Sequence, residues 1–372
     1  MKAVVLTGLD NKNYGNRLQN YAVKKILEQN GYSVQNMYAY ISPNTQKQVP
    51  KSAVQLLKRL LPKRIRYMCQ RINTYNMNNP LMIKRVMKFI IYTNKYVPVK
   101  MYYAENIEDL SKKIEFENAD MFFVGSDQVW NPNYSGGELF FLTFAPKEKR
   151  SSFIASMGVR KIPEDSQQKY TDWLNDMKYI SVREKSAANI IDNLTGKKVD
   201  CFLDPTLLVD EQEWLKIEKK PKVKLPNKYM LAFFFDETPI DAMKKLANSL
   251  ECELIVLNDK KYPRYFSLSP DELLFILRNA CMVLTDSFHI TTLSIIFRRQ
   301  FLVYKRQSFE EMFVRLENLL EELGLNRRIV NDNIAIEDVE NITEKEFNVI
   351  KEIRKNQRMY LDKVLQRLKN EK

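Results

Sequence analysis

Histidine occurs once in the 372 residues, as His289, and cysteine four times, at positions 69, 201, 252 and 281. A single imidazole excludes metal sites that need two histidines, and no CxxC pair offers the usual zinc cluster. The thiols read as small core residues or as free thiols of a reducing compartment. Glycine is also scarce, with 9 residues, far below the typical ~7%. Neither GxGxxG nor GxxxxGK(S/T) occurs, which removes a dinucleotide fingerprint and a Walker loop. No GxSxG elbow accompanies the histidine. No apolar run approaches the ~18 residues of a bilayer span. The apolar start is too short for a signal peptide and lacks a small-residue cleavage site. A cytoplasmic chain without a metal site is expected.

Acidic residues are missing from one long stretch. Lys plus Arg number 59 against 46 Asp plus Glu, a net charge of +13. Between Glu28 and Glu105 there is no carboxylate, and residues 29–104 hold 13 basic residues, so this stretch carries the whole excess. Its core, residues 54–91, reads as mostly helical, with Pro62 and Pro80 as breaks. Leu56, Leu57, Leu60, Leu61, Ile65 and Met68 recur every three or four residues among Lys and Arg. That spacing describes a basic amphipathic helix, attracted to a membrane surface or a polyanion, or else a solvated basic face. Aromatics do not interleave it in a base-stacking pattern, which argues against nucleic acid.

Elsewhere the composition is that of a globular protein, 45% hydrophobic. Short apolar strands alternate with amphipathic helices twice over, without internal repeats. Strands are expected at 3–7, 33–38, 121–124, 152–156, 179–182 and 199–202, then at 229–235, 253–257, 282–285 and 301–304. Such alternation implies parallel sheets covered on both faces. A charged, proline-punctuated linker, KIEKKPKVKLPN at 216–227, divides the two runs. We expect one α/β domain at 1–222, with a basic helical insertion at about 45–100. A second should span 223–372 and close with a long C-terminal helix. Two such units imply a cleft between them.

Gly8 and Gly15 bracket the first βα loop, and Gly125 and Gly158 follow strands, where the backbone turns tightly or approaches a ligand. Ligands of open α/β sheets bind beyond the carboxyl ends of strands. The loops 8–16, 125–132 and 156–160 should therefore crowd one edge. In the second, Ser126, Asp127, Gln128 and Asn131 surround Trp130. Amides and a carboxylate around one aromatic ring suit a sugar, although Asp127 and Asn131 are also ordinary turn residues. The counterpart is TDSFHITT at 285–292. Asp286 or Ser287 would cap a helix there, with His289 in its first turn. Backbone N–H groups at that helix start favour an anion and oppose protonation of the imidazole.

The string FFVGSDQVWNP at 122–132 resembles the signature of the polysaccharide pyruvyl transferase family. YGNRLQNYAV (14–23), SSFIASMGV (151–159), ISVREKSA (180–187), FLDPTLL (202–208), TDSFHITTLSIIF (285–297) and VRLENLLEELGL (314–325) resemble its other blocks, in order. Two departures stand out. Ile290 follows the histidine where the family commonly has glycine, and Arg298-Arg299-Gln300 replaces a frequent Asn-Lys-Pro.

The resemblance implies a glycosyltransferase-B-like fold of two Rossmann-like domains facing a cleft. It also implies transfer of pyruvate from phosphoenolpyruvate to two hydroxyls of a cell-surface saccharide, often a lipid-linked precursor, as a cyclic ketal. Phosphoenolpyruvate is then a co-substrate, and no cofactor is called for. His289 and Asp127 are the expected catalytic residues. Gly15, Asn16, Ser126, Gln128, Trp130, Arg183, Ser287 and Arg315 are expected to bind substrate, the two arginines through the donor's anions. An acceptor of this kind, together with the insertion at 45–100, implies peripheral association with the inner face of a membrane. Two other classes stay open: a sugar-nucleotide-dependent glycosyltransferase of the same fold, and a non-enzymatic basic protein that binds membranes or polyanions.

Overall fold

The computed structural model describes residues 1–41, 79–134, 137–305, 310–330 and 340–371. It opens with β1 (Lys2–Leu6), an apolar strand buried along almost its whole length. After the loop 7–13 comes α1 (Tyr14–Gln29), whose cap Asn13 accepts from Asn16 N. There follow β2 (Ser33–Ile41), α2 (Pro80–Tyr96), β3 (Val99–Ala104), α3 (Ile107–Glu115), β4 (Met121–Val124), β5 (Arg150–Ser152), α4 (Glu164–Asn175), β6 (Ser181–Val182), α5 (Lys185–Thr195) and β7 (Asp200–Cys201). The second half holds β8 (Tyr229–Phe233), α6 (Ile240–Ser249), β9 (Glu253–Leu257), α7 (Pro270–Asn279), β10 (Met282–Thr285), α8 (Phe288–Ile296), β11 (Gln300–Tyr304), α9 (Glu310–Glu322), β12 (Ile329–Val330) and α10 (Glu344–Asn370). Shorter helical turns lie between some of these.

The first sheet runs β3-β2-β1-β4-β5, all parallel. Bridges Ser151–Tyr179 and Ala155–Val182 continue it into the β6–β7 pair. The second sheet, also parallel, runs β9-β8-β10-β11-β12. The direction of winding reverses between β1 and β4 and again between β8 and β10. At such switch points the outgoing loops part and leave a crevice beyond the carboxyl edge. The two carboxyl edges open into one interlobe cleft, because loops from all four of these strands line the same cavity.

A continuous apolar core ties the lobes below that cleft. Tyr14, Phe89, Leu207, Leu273 and Leu293 belong to one buried cluster that crosses between them. Separate clusters cover the outer face of each sheet. The Tyr14 hydroxyl donates to Leu268 O at 2.8 Å, fixing α1 to the second lobe. Helix α10 returns to the first lobe. Tyr32 donates to Leu365 O (2.8 Å), Leu203 N to Gln357 Oε1 (2.7 Å) and Arg354 Nε to Leu207 O (2.6 Å). On the second lobe Arg298 Nη2 donates to Asn348 Oδ1 (2.7 Å) and Arg327 Nη2 to Glu346 Oε1 (2.5 Å), so the closing helix touches both lobes.

Pro80 does not break a helix; it begins one. Its missing N–H costs nothing in the first turn, and Asn79 caps α2 by accepting from Leu81 N and Met82 N. The expected strand 152–156 is regular only to Ser152, because Ile154 adopts φ 54° and bends the chain. Only the first two residues of the linker belong to a helix, the end of the short Glu211–Ile217, and the rest runs without regular structure to β8. The apolar spacing read at 56–68 lies outside the described residues.

Candidate active site in the interlobe cleft

Arg17 Nη2 and Asn20 Nδ2 on α1 donate to Gly8 O (2.5 and 3.1 Å) and fold the post-β1 loop back on its helix. Asp10, Asn13 and Asn16 then line the cleft. Beyond β4, Asp127 takes φ 71°, in the left-handed region. A non-glycine residue there costs about 1–3 kcal/mol and persists only where surroundings hold it. Here Asp127 O accepts from Val129 N (2.8 Å) and Ser156 N (3.0 Å), and Trp130 N donates to Ser156 O (3.1 Å). The turn sends Ser126, Asp127 and Gln128 into the cleft.

Trp130 goes the other way. Its ring is 1% exposed, stacks on Phe141 at 5.1 Å and donates from Nε1 to Phe140 O (3.0 Å). The sugar-stacking role expected of Trp130 is therefore corrected: the residue is part of the core under the loop. Neighbouring Gly158 takes φ 65°, the left-handed region that favours glycine, and a Cβ there would push the Gln128 amide aside. Glu184 holds this loop: its Oε1 accepts from Ser156 Oγ, Met157 N and Gly158 N at 2.8, 2.9 and 3.1 Å.

On the second lobe Asp286 accepts from Phe235 N and Asp236 N (2.9 and 3.0 Å), joining the loops that leave β8 and β10. Ser287 is the N-cap residue of α8, and His289 stands in its first turn. Gly15 does not line the cavity. It lets α1 press against His289: a Cβ would stand 2.6 Å from Cγ and closer still to Nδ1. The imidazole is buried, and its Nε2 has no hydrogen-bond partner among the described residues.

Charges surround this ring. Arg183 Nη1 binds Asp204 Oδ2 at 2.5 Å, while Arg183 Nη2 and Arg315 Nη1 each lie 3.8 Å from Asp127 Oδ1. Both guanidinium groups stand over Phe288, at 4.5 and 5.7 Å. The Gln128 amide lies 2.7 and 3.1 Å from the Arg315 Nη atoms; with its oxygen turned towards them it accepts from both. Burial pushes the His289 imidazole below its ordinary value; Arg183 and Arg315 act the same way, against Asp204 and Asp127. The ring is therefore neutral at pH 7. Burial would raise Asp127 and Asp204, but the neighbouring cationic groups prevail and hold both carboxyls low and ionised. Burial and the nearby Arg183 charge bring Arg315 down to about 10, still cationic at neutral pH.

The chamber holding His289 has a volume of about 950 Å³ and is lined by Asn16, Ser126, Asp127, Gln128, Ser287 and Arg315 among others. Arg183 is set one layer back, in an adjoining recess of about 240 Å³ that Arg315 also lines. A larger cavity of about 1280 Å³ adjoins on the second lobe and shares Asp10, Asn13, Phe235 and Asp236 with the chamber. The chamber thus gathers Asn16, Ser126, Asp127, Gln128, Ser287, His289 and Arg315. It leaves Arg183 behind Phe288, Gly15 as a spacer and Trp130 in the core. The sequence reading did not single out Glu184 or Asp204, although each lies inside a block quoted above, and it named Asp286 only as a helix cap, whereas Asp286 joins the loops after β8 and β10. Among the described residues no group of three His, Cys, Asp or Glu is arranged to hold a metal ion. No helix among them is long and apolar enough to cross a membrane.

Two parallel α/β lobes with a polar, histidine-bearing chamber between their carboxyl edges define a glycosyltransferase-B-like protein. A solved structure agrees on that fold. UDP-GlcNAc 2-epimerase from Methanocaldococcus jannaschii is 14% identical with TM-score 0.50, over 95% of this chain and 92% of that one. UDP-N-acetylglucosamine 2-epimerase from Rickettsia bellii follows at 11% and 0.48, over 100% and 97%. The E. coli ADP-heptose LPS heptosyltransferase II follows at 11% and 0.40, over 96% and 99%. At 14% identity the first of these likenesses speaks to fold alone. No curated protein sequence matches the chain. The family model for polysaccharide pyruvyl transferase matches residues 13–308, and the chain belongs to that family. The match takes in His289, Asp127, Arg183 and Asp204, and ends just before Arg315.

Proposed function

We propose that the protein transfers pyruvate from phosphoenolpyruvate to two hydroxyls of a saccharide destined for the cell surface, forming a cyclic ketal and phosphate. The observation that carries this reading is the buried, unpartnered Nε2 of His289, in a ring that lines the chamber together with Asp127 and Arg315. Arg315 meets the donor's carboxylate or phosphate, and Arg183 adds positive potential from behind Phe288. One sugar hydroxyl, oriented by Asp127, bonds to C2 of the donor. Its proton passes through neutral His289 to the methylene carbon, which becomes a methyl group. The C2–O bond to phosphorus-bearing oxygen then breaks, and its electron pair leaves with phosphate. The second hydroxyl closes the ring at C2 and gives its proton to the departing phosphate. Atoms and charge balance without a further reactant, and one imidazole serves as base and then as acid.

A nucleotide-sugar-dependent transferase is the second reading, supported by the larger cavity and its aromatic lining of Phe235, Tyr262 and Tyr304. Melting curves separate the two, because a ligand held only by the native state raises the transition by mass action. Phosphoenolpyruvate should raise the melting temperature and UDP- or ADP-sugars should not. The opposite pattern would favour the second reading.

A further inference from the structure

Helix α2 has two unlike faces. Arg85, Val86, Phe89, Tyr92 and Thr93 are buried. On the opposite side Ile83, Met87 and Ile91 are 38%, 51% and 62% exposed. Their spacing of four residues sets them in one stripe along the helix. Lys84 is exposed beside them, and Lys88 turns inward to bind Glu272 at 2.5 Å. A monomeric surface tolerates single exposed apolar residues but rarely aligns three large ones.

We infer that this outer face of α2 docks on an anionic lipid surface. Charge selects that occupant over a second copy. The helix itself carries Lys84, Arg85, Lys88 and Lys95 and no carboxylate, and Lys84 and Lys95 are exposed. A second copy would set these lysines against their own copies, whereas an anionic leaflet supplies the opposite sign. Apolar side chains flanked by lysine are the composition of a helix that lies in the interface plane. The inner face of the same helix gives the docking a purpose. Arg85 Nη2 donates to Lys12 O (2.6 Å) on the first lobe and to Asn258 Oδ1 (2.9 Å) on the second. Met82, Arg85, Lys12 and Asn258 all line the large cavity. A lipid-held saccharide would therefore enter the cleft beside the docked helix. The inference does not depend on the reaction proposed above, since docking is read without substrate.

Co-sedimentation of the full chain with vesicles tests it. The chain should pellet with phosphatidylcholine and phosphatidylglycerol in equal parts at low salt, stay in solution with phosphatidylcholine alone, and be released by high salt. Ile83→Ser, Met87→Ser and Ile91→Ser together should weaken partition at least about tenfold, with the melting temperature and circular dichroism unchanged. If the triple variant does not fold, Met87→Glu alone asks the same question and should weaken partition in the same direction. Three results would overturn the inference: a wild-type chain that stays in the supernatant at low salt, folded variants that bind as tightly as wild type, or a triple variant that converts a wild-type dimer to a monomer.

Discussion

In the proposed reaction His289 is the residue on which the chemistry turns, and its protonation sets a pH signature. Burial holds its folded-state pKa below the ordinary value of ~6.5. In that reaction the neutral ring is the competent form, so the acid limb of kcat/KM should have its midpoint below ~6.5. His289→Gln should lose at least ~100-fold in turnover, with that acid limb removed and the melting temperature little changed. A folded His289→Gln variant of near-normal rate would make the ring a packing residue. Trp130 gives the opposite expectation. Its ring is stacked and hydrogen-bonded in the core, so Trp130→Ala should cost about 3–5 kcal/mol in urea unfolding. Had Trp130 been an exposed sugar platform, stability would be unmoved. The sequence did not disclose this, because the polar residues around Trp130 look alike whether the ring faces sugar or core. What decides it is the left-handed turn at Asp127, a conformation that an aspartate does not announce as a glycine would.

Among the elements, the strands and their outgoing loops were legible. Period and length marked β1, β4, β8 and β10, and the polar strings after β4 and β10 marked the chamber. What was not legible was partnership over long distance. Glu184 and Asp204 matter for the backbone N–H groups and guanidinium they hold, and those partners come near only in the folded chain. The amphipathic spacing of α10 likewise gives it a buried face without saying which lobe covers it. Helix α2 joins the lobes through Arg85, which is buried against the Tyr14 and Phe266 rings at 4.7 and 4.9 Å and donates to both lobes. Arg85→Met keeps the stem and deletes those donors. At about 1.5–3 kcal/mol for a hydrogen bond to a charged group, it should lower unfolding stability by roughly 2–4 kcal/mol. Equilibrium urea unfolding measures this, and a change within about 0.5 kcal/mol would mean that α2 is not a clamp.

At the scale of the molecule, two sheets that each reverse their winding order present four loops to one cleft, and the core beneath keeps those loops in register. The chamber supplies a neutral imidazole, two ionised carboxyls nearby and arginines that stay cationic at neutral pH. That combination suits addition of a hydroxyl to an anionic enol donor, the claim on which the account rests. The direct measurement is incubation of the purified chain with phosphoenolpyruvate and a panel of soluble and lipid-linked saccharides, following phosphate release and acceptor mass together. The account predicts phosphate released in step with an acceptor gaining one pyruvate ketal, and neither event with His289→Gln. Phosphoenolpyruvate left intact across the panel, while a nucleotide sugar is consumed on the same acceptors, would contradict it.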